Sequence, residues 1–163
     1  MRYYGFSNYY LSQMAIGIQN AHCVVDIINE YYIQSNSQSK IVSEWSRNHK
    51  TMILLNGGNQ QALFDLYAMF DHPLNPYPFG YFKEDEQSLN NALTCVGIIL
   101  PEKIYEGAAL LRDRRTIVGS IPGSIENPNN TKVLVPCGDS SCEYEYSEWE
   151  IVLMKKLNEY RLA

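Results

Sequence analysis

Along the first third of the chain, apolar and polar positions alternate at recognisable periods. RYYGFS at 2–7 is a short aromatic run and reads as a first strand. Ser12 then stands where a helix N-cap belongs, with Leu11 and Ile16 at the two positions of a hydrophobic staple. From there Met14, Ile18, Ala21, Val25, Ile28 and Tyr32 are spaced by four and three, which puts them on one line of a helix and predicts its core stripe. Ala15, Gln19, His22 and Asp26 share a semi-polar flank of that stripe. QSNSQS at 34–39 is a loop by composition, and KIVSEWSRN at 40–48 predicts a shorter helix with Ile41, Val42 and Trp45 facing inward.

TMILL at 51–55 is a continuous apolar run, as expected of a strand covered on both faces, and it ends in NGGN. Asn59 then caps a helix whose Leu63, Leu66, Tyr67 and Phe70 form the next apolar face, and the prolines of HPLNPYP end it. FGYF at 79–82 and LTCVGIIL at 93–100 predict two further strands; EKIYEGAALLRD at 102–113 predicts a helix, with Pro101 at its first turn. Strands alternating with helices lead to an α/β expectation: a three-layer sandwich with a mixed, mostly parallel four-stranded sheet and helices on both faces. After Arg115 the texture becomes rich in Gly, Pro, Asn and Ser, with TKVLV as the only strand-like piece. Residues 116–146 therefore read as a loop-rich appendage to a domain spanning 1–115. In 147–163 a C-terminal helix is expected. Ser147 and Glu150 make a capping box there, and Trp149, Leu153, Leu157 and Tyr160 would clamp it to the body or to a second subunit.

A chain of 163 residues with 45% apolar content supports one sizeable core. The net charge of -5 excludes a surface that grips nucleic acid by overall charge. It leaves open a local patch from Lys40, Arg47 and Lys50, or from Arg112, Arg114 and Arg115. No run approaches the 18 or so apolar residues of a membrane helix, and MRYYGFSNYY lacks a charged-then-apolar leader pattern, so a cytoplasmic protein without a membrane partner is expected. Cys23 and Cys95 sit in helical and strand patterns where buried thiols are common. Cys137 and Cys142, with no histidine near them, are only a weak zinc signal, and neither a metal nor a cofactor is assigned. The sequon at Asn129 has no meaning in a cytoplasm.

Three stretches carry candidate chemistry. His22 is either a hydrogen-bonded structural residue or, oriented by Asp26 one turn on, a general base or anion contact. Gly57, Gly58 and Asn59 lie between a strand end and a helix start. Such a turn is either structural or a backbone N–H cradle for an anion, and it carries neither G-x-G-x-x-G nor a P-loop lysine. KEDEQ at 83–87 is either solvated surface or a carboxylate set for acid/base or cation work.

The segment LSxxxxGxQxAH, formed by Leu11, Ser12, Gly17, Gln19, Ala21 and His22, resembles the type II peptidyl-tRNA hydrolase family. The likeness continues through Trp45, KTMILL and LTCVGIILPE and spans roughly residues 3–112, while NPYPF, EDEQSLNNALT and VGIILPEKIYE look like the phage-encoded branch. The resemblance implies a mixed sheet, a homodimer, and hydrolysis of the ester joining a peptide or aminoacyl group to tRNA, in a host cytoplasm if phage-encoded. It implies catalytic roles for His22, Asp26, Thr94 and Asp85, and substrate contacts from Gln13, Gln19, Gly57, Gly58, Asn59 and Lys50. Where the family carries lysines before its glutamine, this chain has Gln13, Met14 and Ala15, and its Phe82–Gln87 region matches the family's Asp-Ala-Gly-Arg-Thr loop poorly. Those differences support an alternative: an inactive member that binds a nucleotide, RNA or a host protein as a phage accessory or counter-defence factor.

Overall fold

The computed structural model of the chain describes residues 1–112, 131–137 and 140–163. Two compact units result, one of Met1–Pro101 with Tyr160–Ala163 and one of Glu102–Glu159. The first unit is α/β. Its strands are β1 (Arg2–Asn8), β2 (Met52–Gly58), β3 (Phe79–Lys83) and β4 (Leu93–Leu100), in spatial order β2-β1-β4-β3. Its helices are α1 (Gln13–Tyr31), α2 (Ser37–Glu44), α3 (Gln60–Phe70) and the short α4 (Glu86–Leu89), with a π-helical turn at Trp45–His49.

The sheet is mixed but mostly antiparallel, which corrects the mostly parallel expectation. Only β1 and β2 pair in parallel among the described strands; β4 runs antiparallel to both β1 and β3. The reason is the length of the connections. A parallel neighbour needs a crossover of a dozen or more residues, which α1 and α2 supply between β1 and β2, whereas the short β3–β4 link with α4 permits only a reversal. All eight residues of β4 are buried, as its near-continuous apolar run foretells.

Successive strand residues point to opposite faces, so Tyr3, Cys95 and Ile99 share one face and Phe6 points to the other. The first face packs Cys23, Ile27 and Tyr31 of α1 with Val42 of α2 and Trp45, in line with the inward placement expected for Val42 and Trp45. On the other, Phe6 meets Phe70 of α3 at 5.9 Å between ring centroids. α1 is turned differently from its apolar pattern. Asn20, Cys23, Ile27 and Tyr31 are buried, while Met14 (78% exposed), Ile18, Val25 and Tyr32 of the expected stripe face outward. The two lines lie about 140° apart at 100° per residue. Burial of Asn20 decides the rotation, because its amide has four partners inside.

β2 is an edge strand and is covered less than its sequence suggests. Leu55 is buried, but Met52 is exposed and Ile53 and Leu54 are half-buried. Its outer edge receives the end of the chain: Asn56 N–H donates to Arg161 O, Ala163 N–H donates to Leu54 O, and Tyr160 packs edge-on to Phe6 at 4.8 Å. No helix among the described residues is long and apolar enough to cross a membrane.

The second unit contains α5 (Glu102–Arg112), the hairpin β5 (Thr131–Cys137) and β6 (Ser140–Tyr146), and α6 (Glu148–Leu157). TKVLV opens β5 as expected, but SSCEYEY forms a partner strand that its polarity concealed. Ser147 and Glu150 form the expected capping box. Glu150 also meets Lys103 at 2.7 Å, and Tyr146 Oη donates to Lys103 O at 2.9 Å, which ties α5 to the hairpin and α6. Trp149, Leu153 and Leu157 are buried. Arg114, Arg115, Asn129 and the side chains of Cys137 and Cys142 lie outside the described residues.

Candidate functional site

Parallel β1 and β2 leave the sheet at the same end, and antiparallel β4 enters there. Their turns therefore converge, the usual place for ligands in α/β sheets. β1 ends at Asn8, whose Oδ1 accepts Tyr10 N–H at 3.1 Å and shapes the turn into α1. β2 ends at Gly58, which adopts φ +85° and donates its N–H to Asn56 Oδ1 at 3.0 Å. Asn59 follows as the cap of α3, its Oδ1 accepting Ala62 N–H at 2.9 Å. Thr94, at the start of β4, is buried and donates to Phe82 O at 3.3 Å.

These turns surround a cavity of about 440 Å³ lined by Asn8, Tyr10, Leu11, Asn59, Gln60, Gln61, Leu89, Ala92 and Thr94. The lining carries amides, a hydroxyl, a phenol and aliphatic carbons, and no charged side chain.

After β3 a half-buried carboxylate meets a buried amide of α1. Gln19, 7% exposed, donates Nε2 to Glu84 Oε1 in a short contact, while its Oε1 has no partner among the described residues. Glu84 follows β3, and its N–H donates to Ala92 O at 3.0 Å, which brings the carboxylate's backbone next to a cavity-lining residue. An amide N–H directed at a carboxylate is a charge-assisted bond that fixes the orientation of both groups. Behind them Asn20 holds the turn: Nδ2 donates to Ser7 Oγ and Ile16 O, both at 2.7 Å, and Oδ1 accepts from Tyr3 Oη at 3.0 Å and Cys95 Sγ at 3.1 Å. Burial pushes the Tyr3 phenol well above its usual pKa, so it stays a neutral donor.

The residues expected at a site are only partly brought together. Gln13, Gln19, Asn59 and Thr94 do gather at this end of the sheet, and Gly57 and Gly58 form its β2 turn, Gly57 buried against Leu63 where a Cβ would not fit. His22 is exposed on α1 and stacks on Phe82, ring centroids 4.5 Å apart at 16°. Asp26 lines a separate groove with Glu30, Gly80, Tyr81, Phe82 and Lys83, and no ion pair among the described residues joins it to His22. Lys50 sits before β2, beyond the far end of that seven-residue strand, whose span of about 20 Å separates it from Asn59. Arg47 donates to Tyr32 Oη at 2.9 Å.

Asp85 caps α4, accepting Ser88 N–H at 2.6 Å. The Ser88 backbone bond holds its carboxyl below the usual aspartate range. A carboxyl lowered on folding stabilises the cap above its unfolded pKa, and that contribution disappears as pH falls through the lowered value. The Asp85 carboxyl carbon is therefore expected to titrate by NMR with a midpoint below that of an unstructured aspartate; an ordinary midpoint would mean the cap does not form in solution.

Glu84, Asn8, Tyr10, Gln60 and Gln61 were not singled out by motif reading. Glu84 lies inside the KEDEQ run and the glutamines inside NGGNQQ, so the segments are visible in sequence but not which member meets Gln19 or lines the cavity. No protein-family model matches the chain, and no curated relative does.

Proposed function

We propose that the chain is a peptidyl-tRNA hydrolase-like protein that hydrolyses the ester between a peptide or aminoacyl group and tRNA. The supporting observation is the contact of Gln19 with Glu84: the glutamine of the LSxxxxGxQxAH segment is buried and donates to a carboxylate whose backbone is bonded to Ala92 of the sheet-end cavity. Glu84 takes a proton from a water as its oxygen adds to the ester carbonyl. Collapse of the tetrahedral intermediate breaks the bond to the ribose oxygen, which leaves with the proton from Glu84. Gln19 is a positioning residue. The reading carries with it the family's three-layer architecture, a homodimer and a cytoplasmic location.

Purified protein in excess over a synthetic peptidyl-tRNA is expected to release the peptide in a single turnover. Substrate left intact under those conditions ends this reading. A second reading, binding of RNA, a nucleotide or a host protein without hydrolysis, draws support from the uncharged lining of the cavity and from Gln13 at a position where the family carries lysine.

A further inference from the structure

We propose that the sheet-end cavity is a subsite for one unpaired nucleobase, stacked on Tyr10 and held at its polar edge by the amides of Asn8, Asn59 and Gln60. Tyr10 is 77% exposed, and its ring packs against Tyr9 with centroids 4.0 Å apart, which leaves its other face open. A paired, backed aromatic ring at a cavity mouth is a stacking platform, and every base offers it a π-face.

The amides supply the second half of the recognition. Asn8 Oδ1 is committed to Tyr10 N–H and Asn59 Oδ1 to Ala62 N–H, so each side chain is fixed with an NH2 group that has no acceptor among the described residues. Gln61 Nε2 is directed to Asp65 at 3.0 Å, while Gln60 has no bond among the described residues and can donate and accept. Two oriented donors beside an adaptable amide match the in-plane acceptors that all four bases carry on their edges. Leu11, Leu89 and Ala92 give the base an apolar floor. At about 440 Å³ the cavity has room for a base with its ribose and falls in the ordinary range for small-molecule sites. The absence of charge from the lining argues for the base itself over a phosphate as the group inside.

The inference rests on the tRNA reading for the source of the base, since the ester there hangs from an unpaired 3′ nucleotide; its test reads binding alone. The full chain is titrated into a fluorescently labelled single-stranded ACCA ribonucleotide, and into the same oligonucleotide with an abasic 3′ residue, with anisotropy as the readout. Tyr10→Ala is expected to weaken binding about 10- to 100-fold, Tyr10→Phe to stay within about twofold, and the abasic probe to lose a similar factor with the unaltered protein. The salt dependence should be shallow, because the subsite neutralises no phosphate. Equal affinity for the intact and abasic probes, or for Tyr10→Ala and the unaltered chain, overturns the proposal, as does absence of saturable binding. Saturable, base-dependent binding without peptide release would retain the subsite and remove the hydrolase reading. Peptide release without base dependence would do the reverse.

Discussion

Glu84→Gln is expected to slow release of peptide from peptidyl-tRNA by about 10²- to 10⁴-fold with little change in KM, the usual effect of removing a general base. The substitution keeps the size of the side chain and an oxygen that can still accept the Gln19 amide, so the local geometry should persist. What it removes is the capacity to take a proton. Single-turnover kinetics check this, and a variant within about threefold of the unaltered protein would show that Glu84 does not activate the water. Asp85 makes the contrast: its carboxylate is spent on the α4 cap, so Asp85→Asn should leave the chemical step much closer to normal.

Asn20→Leu is expected to destabilise the first unit by about 3–5 kcal/mol, read as a shift in the urea midpoint at unchanged slope. Asn20 is fully buried, and both hydrogens of its amide and both acceptor sites of its oxygen are engaged. Leucine is close in volume, which limits any cavity, but it removes the Ser7 hydroxyl's amide partner and leaves the buried Tyr3 hydroxyl only the Cys95 thiol at 3.7 Å. Each orphaned buried group costs about 1–3 kcal/mol. Space is also tight, because a Cβ at Gly5 would already overlap the Asn20 oxygen. Adding Tyr3→Phe to Asn20→Leu should recover part of the loss by removing one orphan; further destabilisation would show that the network is not what Asn20 contributes.

Much of the fold was legible because strong local signals and tertiary structure agree. LTCVGIIL is a buried strand over the residues its apolar run marks, and Asn59, Ser12 and Ser147 cap the helices they precede. α1 resisted the same method because it presents two apolar lines. Treating apolarity as burial selected Met14, Ile18 and Val25, whereas a satisfied amide drew the face of Asn20, Cys23, Ile27 and Tyr31 inward. Strand direction also escaped periodicity, which carries no information about which neighbour a strand joins. At this end of the sheet, Thr94 and Asn59 were legible because they open elements, whereas a run of consecutive acids gives no periodic signal to separate Asp85, which caps α4, from Glu84, which meets Gln19. The register of β3 on β4 slips between Phe82 and Lys83, and such an irregularity re-aims the side chains that follow it.

The central place of β1 has a kinetic consequence. The first strand of the sheet in chain order is bonded on one side to β2 and on the other to β4, where Gly5 faces Gly97. It is left without its full complement of neighbours until about a hundred residues have emerged, so loop closure over that span must precede the assembly of the sheet. Such long-range closure slows folding relative to a chain whose strands join in order of synthesis, and it leaves an aromatic-rich segment exposed in the meantime, the kind of surface that chaperones cover.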